Sequence, residues 1–195
     1  MTKLRCFISV PVGGKTKAII SNAIDILSKY GDSRIKWVSQ ESLHITLKFL
    51  GDIDSSLTNI LLERITKSAL HTPPFSLYVS HITALPSEKT PRIICATVDG
   101  DLELLHTLQK RIDLEMTLLE FPSEKRRFKA HITLGRIRDR KMFDLSTWLR
   151  KSVSSAQVAN ETLWKIQSVD LMNSTHINNN QKYQKMAQIS LKTTL

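Results

Sequence analysis

Two periods of hydrophobic and polar residues interleave along this chain, an alternating one in short stretches and a three-to-four spacing in longer ones. Residues 4–10, 34–38, 43–50, 75–84 and 92–98 are short, rich in β-branched or aromatic side chains and partly alternating, which predicts strands. Residues 15–30 carry Ala18, Ile19, Ala23, Ile26 and Leu27 at helical spacing and stop at Gly31. Residues 56–70 repeat the pattern through Leu57, Ile60, Leu61, Ile65 and Leu70. A third amphipathic helix is predicted over 101–119, a strand over 128–137 and a short helical patch over 145–154. Two terminal strands, 163–173 and 181–191, flank the turn-rich segment 174–180 and read as a closing hairpin. No Pro/Gly/Ser linker divides the chain, so residues 1–195 are expected to form one α+β domain.

Within this pattern a four-residue string recurs. His44-Ile45-Thr46-Leu47 and His131-Ile132-Thr133-Leu134 stand 87 residues apart, close to half the chain, so each of two similar lobes is expected to donate one copy. As strands, both copies put the histidine and threonine on one face and the aliphatic residues on the other. Strict alternation extends the polar face of the first copy to Lys48 and its apolar face to Phe49. A third string, His81-Ile82-Thr83-Ala84, lacks the leucine and runs into Leu85-Pro86, and is read as an accident of good strand formers.

Two imidazoles and two hydroxyls facing each other across a cleft suit a phosphodiester. Hydrolysis needs a base for the water proton, an acid for the departing oxygen and fixed donors for the equatorial oxygens. Histidine, with an ordinary pKa of about 6.5, can fill both proton-transfer roles near neutral pH. A zinc site is disfavoured, because His-x-His and His-x-x-x-His spacings are missing and no acidic residue lies within any copy. Gly13-Gly14-Lys15-Thr16 is too short for a nucleotide-binding loop, so no cofactor is expected.

Charge sharpens the picture. Lys plus Arg number 28 against 18 Asp plus Glu, a net +10 that favours polyanionic partners. The densest positive run, Lys125-Arg126-Arg127-Phe128-Lys129, precedes the second copy and reads either as a landing strip for an RNA backbone or as a solvated loop. Phe49, Phe128 and Tyr183 are candidates for stacking a base, with core packing favoured for the first two. Arg92 reads either as a residue reaching the cleft or, the favoured reading, as a strand-end surface residue. Cys6 and Cys95 sit in apolar runs and are expected to be buried, reduced core residues. No apolar stretch approaches the roughly 18 residues of a membrane span, and the N-terminus lacks the marks of a signal peptide, so a cytoplasmic protein with no membrane partner is expected, and with no heptad pattern a monomer is the default.

The repeated strings and their surroundings closely resemble the 2H phosphoesterase superfamily, and within it the LigT-like RNA 2′,3′-cyclic phosphodiesterases, also called 2′–5′ RNA ligases. Residues 5–11 resemble the opening strand, 37–51 and 127–136 the two motif blocks, and 168–191, with Ser174 and Tyr183, the closing hairpin. The resemblance implies two lobes of antiparallel sheet with flanking helices around a central cleft. It implies His44 and His131 as the acid/base pair, with Thr46, Thr133 and Arg136 binding the phosphate. Alternation puts Arg136 opposite His131 unless the strand bends around Gly135. Ala130 stands where the family usually has proline, and Asn178-Asn179-Asn180 where it has a glycine. The implied activity is hydrolysis of RNA 2′,3′-cyclic phosphate ends to 2′-phosphomonoesters without a metal. We expect His44 to protonate the 3′ oxygen and His131 to activate water, although nearly identical motifs do not order the two. Any 2′–5′ ligation would be weak and the reverse of ring opening. The competing readings are another 2′-linked substrate, such as 2′–5′ oligoadenylate, and an RNA-binding module without catalysis.

Overall fold

A computed structural model describes residues 2–29, 34–88, 90–138, 162–177 and 180–192. Its strands are β1 (Lys3–Pro11), β2 (Ile35–Trp37), β3 (His44–Asp54), β4 (Phe75–Leu85), β5 (Ile93–Gly100), β6 (His131–Ile137), β7 (Trp164–Ile166), β8 (Ser168–Ile177) and β9 (Asn180–Ser190). Its helices are α1 (Gly14–Lys29), α2 (Thr58–Leu70) and α3 (Leu102–Thr117). The architecture is α+β. The helical patch expected over 145–154 lies outside the described residues, as do Asn178 and Asn179.

The strands form one antiparallel sheet in the order β7-β4-β5-β6-β3-β1-β8-β9, with β2 paired to the far end of β6. The two motif strands are therefore central neighbours, with three strands beyond each. They meet through a single register pair, Ile45 opposite Ile132. Beyond it β3 continues along β1, while Gly135 and Arg136 turn to β2. Gly135 is required there, because a Cβ would come within 2.8 Å of Ile35 and 3.0 Å of the Trp37 ring.

The helices bury one stripe each, as their periodicity dictates. Ile20, Ala23, Ile24 and Leu27 of α1, Leu61 and Ile65 of α2, and Leu105, Leu108, Ile112 and Met116 of α3 join Ile45, Leu47, Ile132 and Leu134 in one apolar core. The core thus occupies the sheet face opposite the motif histidines. The terminal hairpin is tighter than its composition suggests. Ser174–Ile177 and Asn180 continue the strands, with Ser174 opposite Tyr183 and Ile177 opposite Asn180. Cys6 and Cys95 are buried free thiols, pushed up to about 11 and about 12 by burial. Cys95 is fully buried but outside the main apolar cluster, because it pairs with Thr133 and shares that residue's face.

Alternation breaks at the same place in both motif strands. Ile8 faces Lys48 and Ser9 faces Thr46, leaving Leu47 as an extra residue in β3. Ile94 faces Gly135 and Cys95 faces Thr133, leaving Leu134 as the extra residue in β6. Each is a β-bulge, which reverses the facing of the residues after it. His-Ile-Thr-Leu-Lys-Phe-Leu and His-Ile-Thr-Leu-Gly-Arg-Ile accordingly show the same sequence of buried, half-buried and exposed positions.

The bulge overturns the expected faces of Lys48 and Phe49. Lys48 is 5% exposed and Phe49 69% exposed. The Lys48 ammonium donates to Asp113 of α3 and to the Pro122 carbonyl, on the helix side of the sheet. Lys48 is therefore a structural cation with no place in the cleft. Lys48→Ala should cost about 3 kcal/mol of stability, the usual penalty for orphaning one member of a buried ion pair. Urea unfolding should show that loss while NMR of the folded fraction finds the His44 and His131 ring signals unmoved. Native stability with displaced ring signals would put Lys48 back in the cleft.

Candidate functional site

The antiparallel register around Ile45 and Ile132 sets His44 beside Thr133 and Thr46 beside His131, all four on one face. Further pairings extend this polar row across the sheet. Thr97 is opposite His131, Ser9 opposite Thr46, and Asp170 opposite Ser9. The expected quartet is brought together by backbone pairing alone.

Both imidazoles are held by the same device. Nδ1 of His44 lies 2.7 Å from the Ser42 carbonyl oxygen, and Nδ1 of His131 lies 2.7 Å from that of Lys129. A carbonyl only accepts, so Nδ1 carries a proton in each ring and the neutral form leaves Nε2 as a free base. Nε2 of His44 is 3.1 Å from the Thr46 hydroxyl, which donates to it when the ring is neutral.

Their surroundings differ. The His44 ring packs against Phe7, with centroids 4.8 Å apart, and takes Tyr183 edge-on at 5.2 Å. Burial pushes its pKa down to about 4, against the pull of the Ser42 carbonyl and with help from Arg136, His131 and Lys17. His131 is more open. Burial and then Arg136 lower its pKa as well, while the Lys129 carbonyl opposes them. Arg136 acts on both rings because the bulge at Leu134 turns it to their face, which resolves the conflict with strict alternation.

Other candidates separate cleanly. His81 is exposed on β4, and its Nδ1 lies 2.9 Å from the Thr97 hydroxyl, one strand beyond His131. It joins neither ring. Arg92 is exposed at the start of β5. Phe49, expected in the core, lies beside Phe7 at 6.2 Å on the histidine face. Phe128 is partly buried and edge-on to His106. Among the described residues no group of three or more His, Cys, Asp or Glu is placed to hold a metal ion.

Two site residues escaped the sequence reading. Lys17, in the first turn of α1, bears electrostatically on His44 and on Asp170. Asp170 is buried with one carboxylate oxygen lacking a hydrogen-bond partner. Burial pushes its pKa up, against Lys185, Gln188 and Lys17. A lone lysine after Gly13-Gly14 and a lone aspartate in a strand carry no spacing signal. Only the register that places Asp170 beside Ser9 reveals them.

The chain is similar to known proteins in sequence and in fold. The profile of the LigT-like phosphoesterases matches residues 13–95. An RNA 2′,3′-cyclic phosphodiesterase of Thermotoga maritima is 30% identical over 135 residues, covering 69% of this chain and 71% of that one. One of Archaeoglobus fulgidus is 30% identical over 153 residues, covering 78% and 83%. The chain belongs to the LigT-like phosphoesterases. A solved Thermus thermophilus structure superposes on this LigT-like chain with a TM-score of 0.79 at 21% identity, covering 97% of it and 99% of the other. Escherichia coli LigT complexed with phosphate gives 0.73 at 15% identity, covering 99% and 100%. These two likenesses concern the fold. In this LigT-like protein no helix among the described residues is long and apolar enough to cross a membrane.

The electrostatics predict a titration. Followed by NMR, the His44 ring should change charge near pH 4 and His131 below its ordinary value of about 6.5. Arg136→Gln should raise both midpoints, since removing a neighbouring cation eases protonation. A His44 midpoint at 6.5, unmoved by Arg136→Gln, would contradict the geometry.

Proposed function

We propose that this protein hydrolyses RNA 2′,3′-cyclic phosphate ends to 2′-phosphomonoesters, with His44 and His131 as the acid/base pair. The observation that carries the reading is the pair of Nε2 atoms freed by identical backbone clamps on adjacent strands, with Arg136 turned to their face. The curated relatives bear the name of this activity. Escherichia coli LigT has been solved with 3′-AMP, a nucleotide bearing a single terminal phosphate, which agrees with RNA ends as the substrate class.

In the proposed reaction a water oxygen attacks phosphorus as His131 Nε2 takes its proton. The bond from phosphorus to the 3′ oxygen breaks, and that oxygen leaves with a proton from His44 Nε2. Arg136 and the hydroxyls of Thr46 and Thr133 bind the equatorial oxygens. This order follows from exposure. The more open His131 is reached by water. His44 lies under Phe7 and Tyr183, where desolvation makes its imidazolium a strong proton donor. Thr46 accepts from Nε2 when that ring is charged. No step needs a metal or a nucleotide cofactor. A 5′ hydroxyl attacking phosphorus in place of water, with its proton taken by His131 and the 3′ oxygen leaving with the proton of His44, would join 2′–5′ ends, weakly because water is the competing nucleophile.

Incubation with a short cyclic-phosphate RNA should yield a 2′-phosphate. His44→Ala and His131→Ala should each lose at least about a hundredfold in kcat, and His81→Ala should retain full activity. Turnover by His44→Ala at the native rate would refute the pair. Replacing the bridging 3′ oxygen by sulfur, a leaving group needing no proton, should rescue His44→Ala and leave His131→Ala inactive. The opposite pattern would reverse the two roles.

The pH dependence has a definite sign. Rising pH removes the proton His44 must give, and falling pH protonates the base His131. Both groups are lowered in the free protein, so kcat/KM should peak on the acid side of pH 6.5. Bound phosphate favours the charged ring, so kcat should peak at higher pH. A kcat/KM maximum well above pH 7 would contradict this.

A further inference from the structure

We infer that the RNA strand leaving the catalytic cleft runs from His131 along a basic trough over Lys129, Phe128 and Arg127 to the outer face of α3. This deepens the proposed reaction, on which it rests, by assigning a path to the body of the substrate. Two cavities carry the inference. One, of about 320 Å³, opens at His131 and is lined by Lys129, Phe128, Arg127 and His106. The other, of about 580 Å³, continues past the same Arg127, Phe128 and His106 to Arg126 and Lys110. The larger cavity is away from the histidine pair and shares Arg127, Phe128 and His106 with the smaller one, which His131 lines.

The trough is a built surface. The chain between α3 and β6 is pinned to the helix by Asp113, which accepts from the Ser123 hydroxyl at 2.9 Å and from the backbone N–H of Glu124. Lys48 reaches through from β3 to the Pro122 carbonyl. Glu124 turns back on its own segment and accepts from the Arg126 N–H at 3.1 Å. Asp113 and Glu124 are the acidic residues of the larger cavity, and these bonds occupy both. The basic run is therefore preorganised.

Its chemistry suits single-stranded RNA. Phe128 stands edge-on to His106 at 5.7 Å, offering ring surface between cations, the alternation that serves a strand of stacked bases and phosphates. From Arg126 to His131 an extended chain reaches at most about 18 Å, a span suited to the nucleotides next to the reacting end.

The test compares kcat/KM for a cyclic mononucleotide with that for an RNA of about eight nucleotides ending in the same cyclic phosphate, across a salt series. The native protein should prefer the longer RNA, with the gain complete by about four nucleotides. The double variant Arg126→Ala/Arg127→Ala should lose about tenfold on the long RNA and stay within about twofold on the mononucleotide. Its salt slope should be shallower by about 1.4, at about 0.7 per lost phosphate contact. Equal losses on both substrates, or no loss on either, would overturn the path. If neither substrate turns over, the catalytic reading fails and the path is read by fluorescence anisotropy of a labelled eight-nucleotide RNA. Weaker binding by the double variant supports the path, and unchanged binding overturns it.

Discussion

One backbone pairing, Ile45 opposite Ile132, sets the relation between everything else at this site. It joins the halves of the sheet at their centre and puts each histidine beside the other strand's threonine. Both isoleucines are fully buried on the opposite face, so slipping the register by one residue would bury imidazoles and expose the core. The geometry of the histidine pair and the stability of the core are therefore the same constraint.

The bulges add the second layer. A regular strand would leave Arg136 in the core and Lys48 in the cleft. One extra residue after each motif exchanges them, turning Arg136 to the histidines and Lys48 to Asp113. The two motif strands share a bulge and differ in side chains, because Phe49 occupies in β3 the position of Arg136 in β6. The paired strands thereby acquire a cationic side and an aromatic side, with Phe49, Phe7 and Tyr183 grouped near His44.

Much of this was legible in the chain. The helices and most strands appeared within a few residues of their sequence boundaries, because each element carries a clean apolar stripe or alternation. Thr58 opens α2 two residues later than residue 56 because Asp54 caps a short 3-10 turn first. The quartet of His44, Thr46, His131 and Thr133 was legible because repetition marks a shared face. The bulges were not, since Leu47 and Leu134 continue the apolar pattern and only the partner strands reveal them as extra. Lys17 and Asp170 were silent for a related reason, since their meaning comes from strands and a helix distant in sequence. The family resemblance named Arg136 as a candidate, and the bulge supplies the physical route by which it turns to the face of both rings.

The most direct measurement follows the Nε2 nitrogens of both rings by long-range ¹H–¹⁵N NMR while a nucleoside 2′-monophosphate, the product of the proposed reaction, is added. Nε2 of His44 and of His131 should shift together toward the protonated form and saturate with one Kd, because one phosphate sits between two neutral bases. A shift at only one histidine, or at neither while the nucleotide binds, would contradict the account.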